Sequence, residues 1–245
     1  MNNSTLPPLN PRLVEHFASL ETRRGRWRLH CYLRFKRLLW TYLVNGSHLA
    51  KRALDFTLSF FALLGLSPLF LVIAILIKLE DRGPIMFPQT RVGRFGREFK
   101  MFKFRSMHRN AEARLAEVLA QNQHQTGITF KIKNDPRITR VGRWLRKFSF
   151  DELPQFYNVL RGDMSLVGPR PPLPREVALY TLADRRRLAV KPGITCIWQI
   201  SGRAEIDFSG QVQLDVLYIE SRSLRQDVKI LCKTIPAVMR GTGAY

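Results

Sequence analysis

From Phe56 to Ile77 the chain carries no charged residue. Lys51 and Arg52 precede this run and Lys78 closes it. Its length just suffices to cross a bilayer, which takes about 20 apolar residues. Ser67 and Pro68 fall at its centre, where proline removes a helical hydrogen bond and bends the axis. Both flanks are strongly basic, so a spanning helix would set one of them against the positive-inside bias. The pattern predicts a broken, re-entrant helix that enters and leaves by the same leaflet, with a straight spanning helix as the alternative. The Ser67 hydroxyl is expected to satisfy part of the interrupted backbone. Asp55, just inside the apolar run, is expected to pair with Arg52 or Lys51 at the interface.

Ahead of this segment, Pro7, Pro8 and Pro11 predict a loosely ordered start over residues 1–22. From Arg23 to Val44, cations alternate with Trp27, Tyr32, Phe35 and Trp40 at helical spacing. That mixture predicts an interfacial helix on an anionic membrane; a solvated helix packed on the domain is the plainer alternative. Beyond Asp81 the pattern is that of a water-facing domain. Ile85 to Phe87 reads as a short strand, and the glycines of Val92 to Arg97 read as a hairpin turn. Phe99 to Met107 alternates, with Phe102 and Phe104 on one face and Lys103 and Arg105 on the other. Helices are predicted over Asn110–Gln121, Val141–Lys147, Pro154–Leu160, Arg175–Val190, Gln211–Ser221 and Asp227–Met239, the last with an irregular end at Pro236. Thr129–Lys133 and Ile194–Ile200 read as extended, and Gly168–Pro172 as a rigid loop. The fold class is α+β, mainly helical, with a few short strands and a proline-broken membrane helix. Three regions follow: a basic segment at 1–50, the re-entrant helix at 51–80 and the catalytic domain at 81–245.

Charge changes this picture. The 245 residues hold 40 Lys and Arg against 19 Asp and Glu, a net charge of +21. Such a chain attracts polyanions: anionic headgroups, nucleotide phosphates or nucleic acid. Three scattered cysteines suggest neither a disulfide framework nor a zinc site, and each is expected to be a buried thiol in a reducing cytoplasm. The first thirty residues lack the apolar core of a secretory signal.

Within this basic chain, Asp151 and Glu152 stand side by side among Arg143, Arg146, Lys147, Arg161 and Arg170. Arginines fit phosphate oxygens, and a carboxylate among them suits a metal ion or attack on phosphorus. The pair therefore marks a candidate phosphoryl-transfer site. The plainer reading is a capping box, Ser149 to Glu152. It would place Pro154 past the first turn, where its ring clashes, so the helix is expected to begin near Pro154 with both carboxylates at its mouth. Asp163 is read as a turn residue or a second contact, and Trp198 as core.

These residues lie in ordered motifs: R-K-F-S-F-D-E-L-P-Q, N-V-L-R-G-D-M-S-L-V-G-P-R-P, G-P-I-M-F-P-Q-T-R-V-G-R-F-G, F-K-I-K-N-D-P-R-I-T-R-V-G and K-P-G-I-T-C-I-W-Q-I-S-G-R. Together with K-R-A-L-D before the apolar run they resemble the bacterial sugar transferase family, monotopic polyprenyl-phosphate hexose-1-phosphate transferases that initiate exopolysaccharide and O-antigen assembly. The resemblance runs from about Lys51 to the C-terminus. Pro88, Phe150 and Cys196 depart from the usual family residues, and the basic N-terminal segment lies outside the resemblance.

The resemblance implies that Asp151 attacks the β-phosphorus of a UDP-sugar, releases UMP and passes the sugar phosphate to undecaprenyl phosphate. It further implies Mg²⁺ at the acidic pair, Asp151 and Glu152, with Glu152 either a metal ligand or a positioning group. Arg146 is the candidate for gripping a phosphate and Arg170 for the nucleotide diphosphate, with Pro169 and Pro171 beside it at the substrate. Lys103 and Arg105 could join them from their strand. The expected partners are the UDP-sugar, the polyprenyl phosphate and anionic membrane lipids, with no nucleic acid and with a homodimer left open. The expected location is the bacterial inner membrane, catalytic domain on the cytoplasmic face. Two rivals remain: a non-enzymatic polybasic module on anionic lipid or nucleic acid, and a metal-dependent UDP-sugar hydrolase.

Overall fold

The computed structural model describes residues 22–111, 113, 135–202 and 206–240. The helix expected over Asn110–Gln121 lies almost wholly outside these residues, as do the start at 1–21 and the strand expected at Thr129–Lys133. The chain forms two compact units, residues 1–50 and 51–245. Helix α1 runs Arg23–Gly65. In its first-unit part Trp27, Tyr32, Phe35, Leu38 and Trp40 are all exposed.

In the second unit α1 ends at Gly65 and α2 spans Ser67–Asp81, with the pair bent by 59°. Pro68 sits in the first turn of α2, where its missing N–H costs nothing. The Ser67 hydroxyl donates to the Leu64 carbonyl at 2.7 Å, in line with the expectation that it would satisfy the broken backbone. No single helix among the described residues is long and apolar enough to cross a membrane, whereas the bent pair Gly46–Gly65 and Ser67–Asp81 passes by length and composition. One face of α2 is buried: Ile73 and Ile77 pack with Phe104 and Leu145. Leu71, Val72, Ile75 and Leu79 remain exposed, as do Phe56, Phe60, Phe61 and Leu64 across the bend.

The interfacial pairing expected for Asp55 is corrected. Asp55 is buried and accepts from the Ser165 hydroxyl at 2.8 Å and the Leu166 amide at 3.1 Å. Lys51 instead donates to Asp227 at 2.6 Å, and Arg52 donates to the carbonyls of Val159 and Leu160. The carboxylate prefers two fixed donors inside the domain to one flexible cation at its rim, because buried acceptors must be satisfied.

Strands β1 (Met86–Val92) and β2 (Glu98–Phe104) pair antiparallel. They join through a 3₁₀ turn, Arg94–Gly96, in which Phe95 and Gly96 take positive φ of 58° and 79°. The open edge of β2 is capped by a side chain. Asn158, fully buried on helix α4 (Gln155–Arg161), accepts from the Phe102 amide at 3.0 Å and donates to the Lys100 carbonyl at 2.8 Å. Its carboxamide stands in for a neighbouring strand. Helix α3 (Arg140–Lys147) is capped by Thr139, whose hydroxyl accepts from the Gly142 amide, and by Glu80, which accepts from the Arg140 amide at 2.7 Å.

A second sheet pairs β3 (Ser165–Val167) parallel with β4 (Gly193–Thr195). The Gly168 and Gly193 backbones approach so closely here that a Cβ on Gly193 would lie 2.1 Å from the Gly168 nitrogen. The main core joins Met101, Val159, Met164, Leu166, Val167, Tyr218 and Ile230. The mostly helical architecture with a few short strands agrees with the α+β class.

Three further expectations are corrected. The helix expected over Arg175–Val190 is broken into α5 (Pro174–Ala178) and a 3₁₀ segment, Asp184–Ala189. Asp184 accepts from both the amide and hydroxyl of Thr181, a local bond that competes with helix continuation. The extended stretch expected over Ile194–Ile200 stops at Thr195, and Ile197–Ser201 forms helix α6. Helix α7 covers Phe208–Ser221, and α8 covers Leu224–Arg240 and continues through Pro236. Of the cysteines, Cys196 is buried as expected, while Cys31 and Cys232 are exposed.

Candidate active site

The acidic pair lies on a 3₁₀ turn, Phe150–Glu152, between α3 and α4. Ser149 takes a left-handed conformation, φ 55°, and caps nothing with its side chain, so the capping box is not formed. Pro154 precedes the first residue of α4 and sets its start, as the clash argument required. The turn is fixed by aromatic packing: Phe150 meets Trp144 edge-on, with ring centres 5.2 Å apart, and lies 5.8 Å from Phe148.

Asp151 is buried and Glu152 half-buried. Glu152 Oε1 accepts from Lys103 Nζ at 2.6 Å. Burial pushes the Asp151 carboxyl above the usual range and the Glu152 charge adds to this, while Lys103 and Arg146 oppose it. Burial would raise Glu152 too, but Lys103, Arg170 and Arg91 together hold it below its ordinary value. The neighbours thus receive unlike environments. Because Lys103 lowers Asp151, Lys103→Met should raise it further. Attack by a carboxylate requires its ionised form, so with Asp151 as the nucleophile proposed below the rate would be present above its pKa and lost as pH falls through it. The acid limb of a pH–rate profile should therefore move to higher pH in Lys103→Met.

Arg146 reaches the site from α3. Its Nε donates to the Ser106 hydroxyl at 2.9 Å; burial lowers its pKa, and the charge of Asp151 opposes that. Gly142 makes this placement achievable, since a Cβ there would lie 2.0 Å from the Ser106 carbonyl oxygen. Arg170 Nη1 lies 3.4 Å from Glu176, which also accepts from the Leu173 amide at 2.8 Å. The Gly168–Pro172 loop that carries Arg170 is tied at three carbonyls. Pro169 accepts from the Gly193 amide, Pro171 from Arg91 Nη1 and Pro172 from the Val92 amide, each at 2.9 Å.

Arg105 follows a different course from Lys103. The strand ends at Phe104, and the Arg105 guanidinium turns to Asp81 at the end of α2, 3.4 Å away. Asp163 lies beyond α4, where it accepts from the Asn158 side chain at 3.3 Å and pairs with Arg161. Trp198 is buried. The arrangement thus gathers Asp151, Glu152, Lys103, Arg146 and Arg170, and leaves Ser67 and Pro68 at the helix break.

Two residues at the site escaped sequence reasoning. Asn158 gave no signal, because its task is set by a strand edge more than fifty residues away. Arg91 had one: Gln89 and Arg91 are two apart on a strand and so share a face.

Among the described residues no group of three His, Cys, Asp or Glu side chains converges as a metal site. The acidic pair nonetheless suits Mg²⁺, which takes one or two carboxylates and completes its shell with substrate phosphates and water. Burial first, and then the charge of Glu152, raises Asp151, and a cation held at the pair would offset the second of these.

A family model described as bacterial sugar transferase matches residues 46–241. The galactosyl transferase CpsE of Streptococcus agalactiae is 52% identical over 202 residues, covering 81% of this chain and 44% of the relative. The exopolysaccharide production protein ExoY of Sinorhizobium fredii is 42% identical over 200 residues, covering 80% and 88%. The undecaprenyl-phosphate galactose phosphotransferase of Salmonella typhimurium is 44% identical over 204 residues, covering 82% and 43%. The chain thus spans less than half the length of two of these relatives and most of the third. With most of its length matched, and the acidic pair inside that match, the chain belongs to the bacterial sugar transferase family.

Proposed function

We propose that the chain transfers a sugar 1-phosphate from a UDP-sugar to polyprenyl phosphate, the first membrane step of a bacterial polysaccharide. The observation that carries this reading is a buried carboxylate, Asp151, set among Lys103, Arg146 and a second carboxylate, in a chain whose relatives are named for undecaprenyl-phosphate sugar transfer. An Asp151 oxygen attacks the β-phosphorus of the donor, the bond to the bridging oxygen breaks, and UMP leaves. An oxygen of the lipid phosphate then attacks the same phosphorus and expels Asp151, giving polyprenyl-diphosphate-sugar. Both nucleophiles are anions and need no base; the site's task is to offset negative charge.

Lys103 and Arg146 supply part of that offset beside Asp151, and Arg170 grips the diphosphate. Asp151 and Glu152 would hold Mg²⁺, which neutralises charge on the pyrophosphate. Three relatives are named for galactose, which favours a hexose donor.

The same reading puts the bent helix pair in the inner membrane as a re-entrant anchor, with the domain on the cytoplasmic face. Its support is the 59° bend and the exposed apolar residues on both arms. The exposed aromatics and cations of residues 23–40 suit anionic headgroups. Membrane-impermeant labelling should reach single-cysteine reporters before Arg23 and after Arg240 from the same side; labelling from opposite sides would replace the re-entrant anchor with a span.

The deciding assay is UMP release from a panel of UDP-sugars with Mg²⁺, with and without undecaprenyl phosphate. One donor should support sustained, lipid-dependent turnover. Equal turnover without lipid would instead make the chain a hydrolase.

A further inference from the structure

Among the described residues four arginines are buried: Arg91, Arg105, Arg137 and Arg187. Three of them have a carboxylate within 4 Å, namely Asp81, Asp135 and Asp215. Arg91 has none among the described residues. Its Nε and Nη2 donate to the Gln89 side-chain oxygen at 3.1 and 2.7 Å, and its Nη1 donates to the Pro171 carbonyl at 2.9 Å. These partners are neutral. Burial and the charge of Arg170 push Arg91 down to about 9, so it remains a cation at neutral pH. A buried charge without a counter-ion is costly, and such charges are ordinarily paired.

The strand register shows which side of the hairpin Arg91 shares. Phe87 faces Lys103, Gln89 faces Met101 and Arg91 faces Phe99. Residues directly opposite in an antiparallel pair share a face, so Lys103, Gln89 and Arg91 lie on one side of the hairpin. At one end of that face Lys103 holds Glu152; at the other Arg91 holds the loop that carries Arg170. Arg91 feels the charge of Arg170 and, from beyond ion-pair distance, those of Glu176 and Glu152. Gln89 fixes the guanidinium plane by taking two of its donors on one oxygen, which pre-organises the group.

We infer that Arg91, with Arg170 beside it, binds a phosphate-ester anion of the reaction, as the contacting counter-ion that no carboxylate among the described residues provides. The inference rests on the transferase reading and adds a residue to it. A phosphate ester could come from the nucleoside diphosphate of the donor or from the lipid monophosphate.

Titration of the detergent-solubilised full chain with UDP and with a short-chain polyprenyl phosphate separates the two. In Arg91→Gln one ligand should bind about 10–100-fold more weakly while the other is unchanged, and the ligand affected names the source. Arg91→Lys, which keeps the charge, should recover most of the loss. The KM of the affected substrate should rise by the same factor, with kcat little altered. Arg91→Gln binding both ligands as wild type does would overturn the inference. So would an equal loss in Arg91→Lys, which would leave Arg91 a brace for the Pro171 loop alone. If Arg91→Gln does not fold, Gln89→Leu, which frees the guanidinium without removing its charge, decides: one ligand should bind several-fold more weakly, and unchanged binding of both would overturn the inference. Wild-type chain that binds UDP yet releases no UMP from any donor removes the transferase reading and leaves the anion site standing.

Discussion

Asp151→Asn should abolish the proposed sugar-phosphate transfer while the chain stays folded. The expected loss in kcat is about 10⁴-fold or more, the scale seen when a covalent nucleophile is removed. Asparagine matches aspartate in shape, and Asp151 is one of two acids in a cluster of cations, so burial and packing survive the change. The substitution also relieves the repulsion from Glu152 that raises Asp151. Thermal stability should therefore hold or rise as activity disappears. A rapid-quench experiment without lipid acceptor adds a sharper readout. Wild-type chain should release a burst of UMP approaching one equivalent and then stop, with sugar phosphate retained on the protein; the variant should release none. A variant that keeps a tenth of wild-type turnover would remove Asp151 from the covalent role and leave it a charge-placing residue.

Arg187→Met produces the largest expected loss of stability. Arg187 and Asp215 are both almost wholly buried, and Arg187 donates to one Asp215 oxygen through two nitrogens while reaching Tyr180 with a third. Removing one member of a buried pair leaves the other charge uncompensated, at about 3–5 kcal/mol. For a domain of this size that lowers Tm by roughly 10 °C or more. Burial already pushes Asp215 up to about 6, with Arg187 holding it down. Without Arg187 it rises further. A carboxyl whose folded pKa is raised binds its proton more tightly in the folded state, so stability falls as pH rises from the unfolded value through the folded one. The wild-type contribution levels off above about pH 6, whereas that of Arg187→Met continues to fall. The gap between them should widen from pH 6 to 8 in denaturant titrations. Arg187→Met combined with Asp215→Leu should recover much of the loss, because two apolar side chains replace a broken pair. A double variant no better than the single would mean that the pair organises the backbone around Tyr180 and Trp198.

What the sequence made legible was local. The hairpin at β1 and β2 announced itself through Gly93 and Gly96, the start of α4 through Pro154 and the helix break through Ser67 and Pro68. Each depends on a backbone constraint that the residue carries with it. The clustering of cations around the acidic pair was legible too, because Arg146 stands five residues before Asp151 in the same turn-linked stretch. What stayed hidden depends on partners far along the chain. Asp55 was expected to meet the cations three and four residues before it. Its acceptors are filled instead by Ser165 and Leu166, about 110 residues away. Arg105 shared the alternation of Lys103 until the strand stopped one residue short of it. The helix expected across Thr181 failed because one side-chain bond to Asp184 outweighed a periodic pattern. Asn158 and Arg91 are polar groups whose value appears only once a strand edge and a proline-rich loop are in place.

The grip on Lys51, Arg52 and Asp55 sets a limit on how this enzyme can be divided. Those three side chains fill the carbonyls of Val159, Leu160 and Val167, the carboxylate of Asp227 and the donors of Ser165 and Leu166. They open the bent apolar helix pair in sequence and are an internal part of the domain in bonding. A soluble fragment cut after the apolar run would therefore expose its own β3 strand and the end of α4 with their partners gone. Anchor exchange between relatives meets the same boundary. A graft that joins foreign helix at Phe56 keeps the body whole, whereas one that joins before Lys51 carries in a set of side chains that must find those same acceptors again.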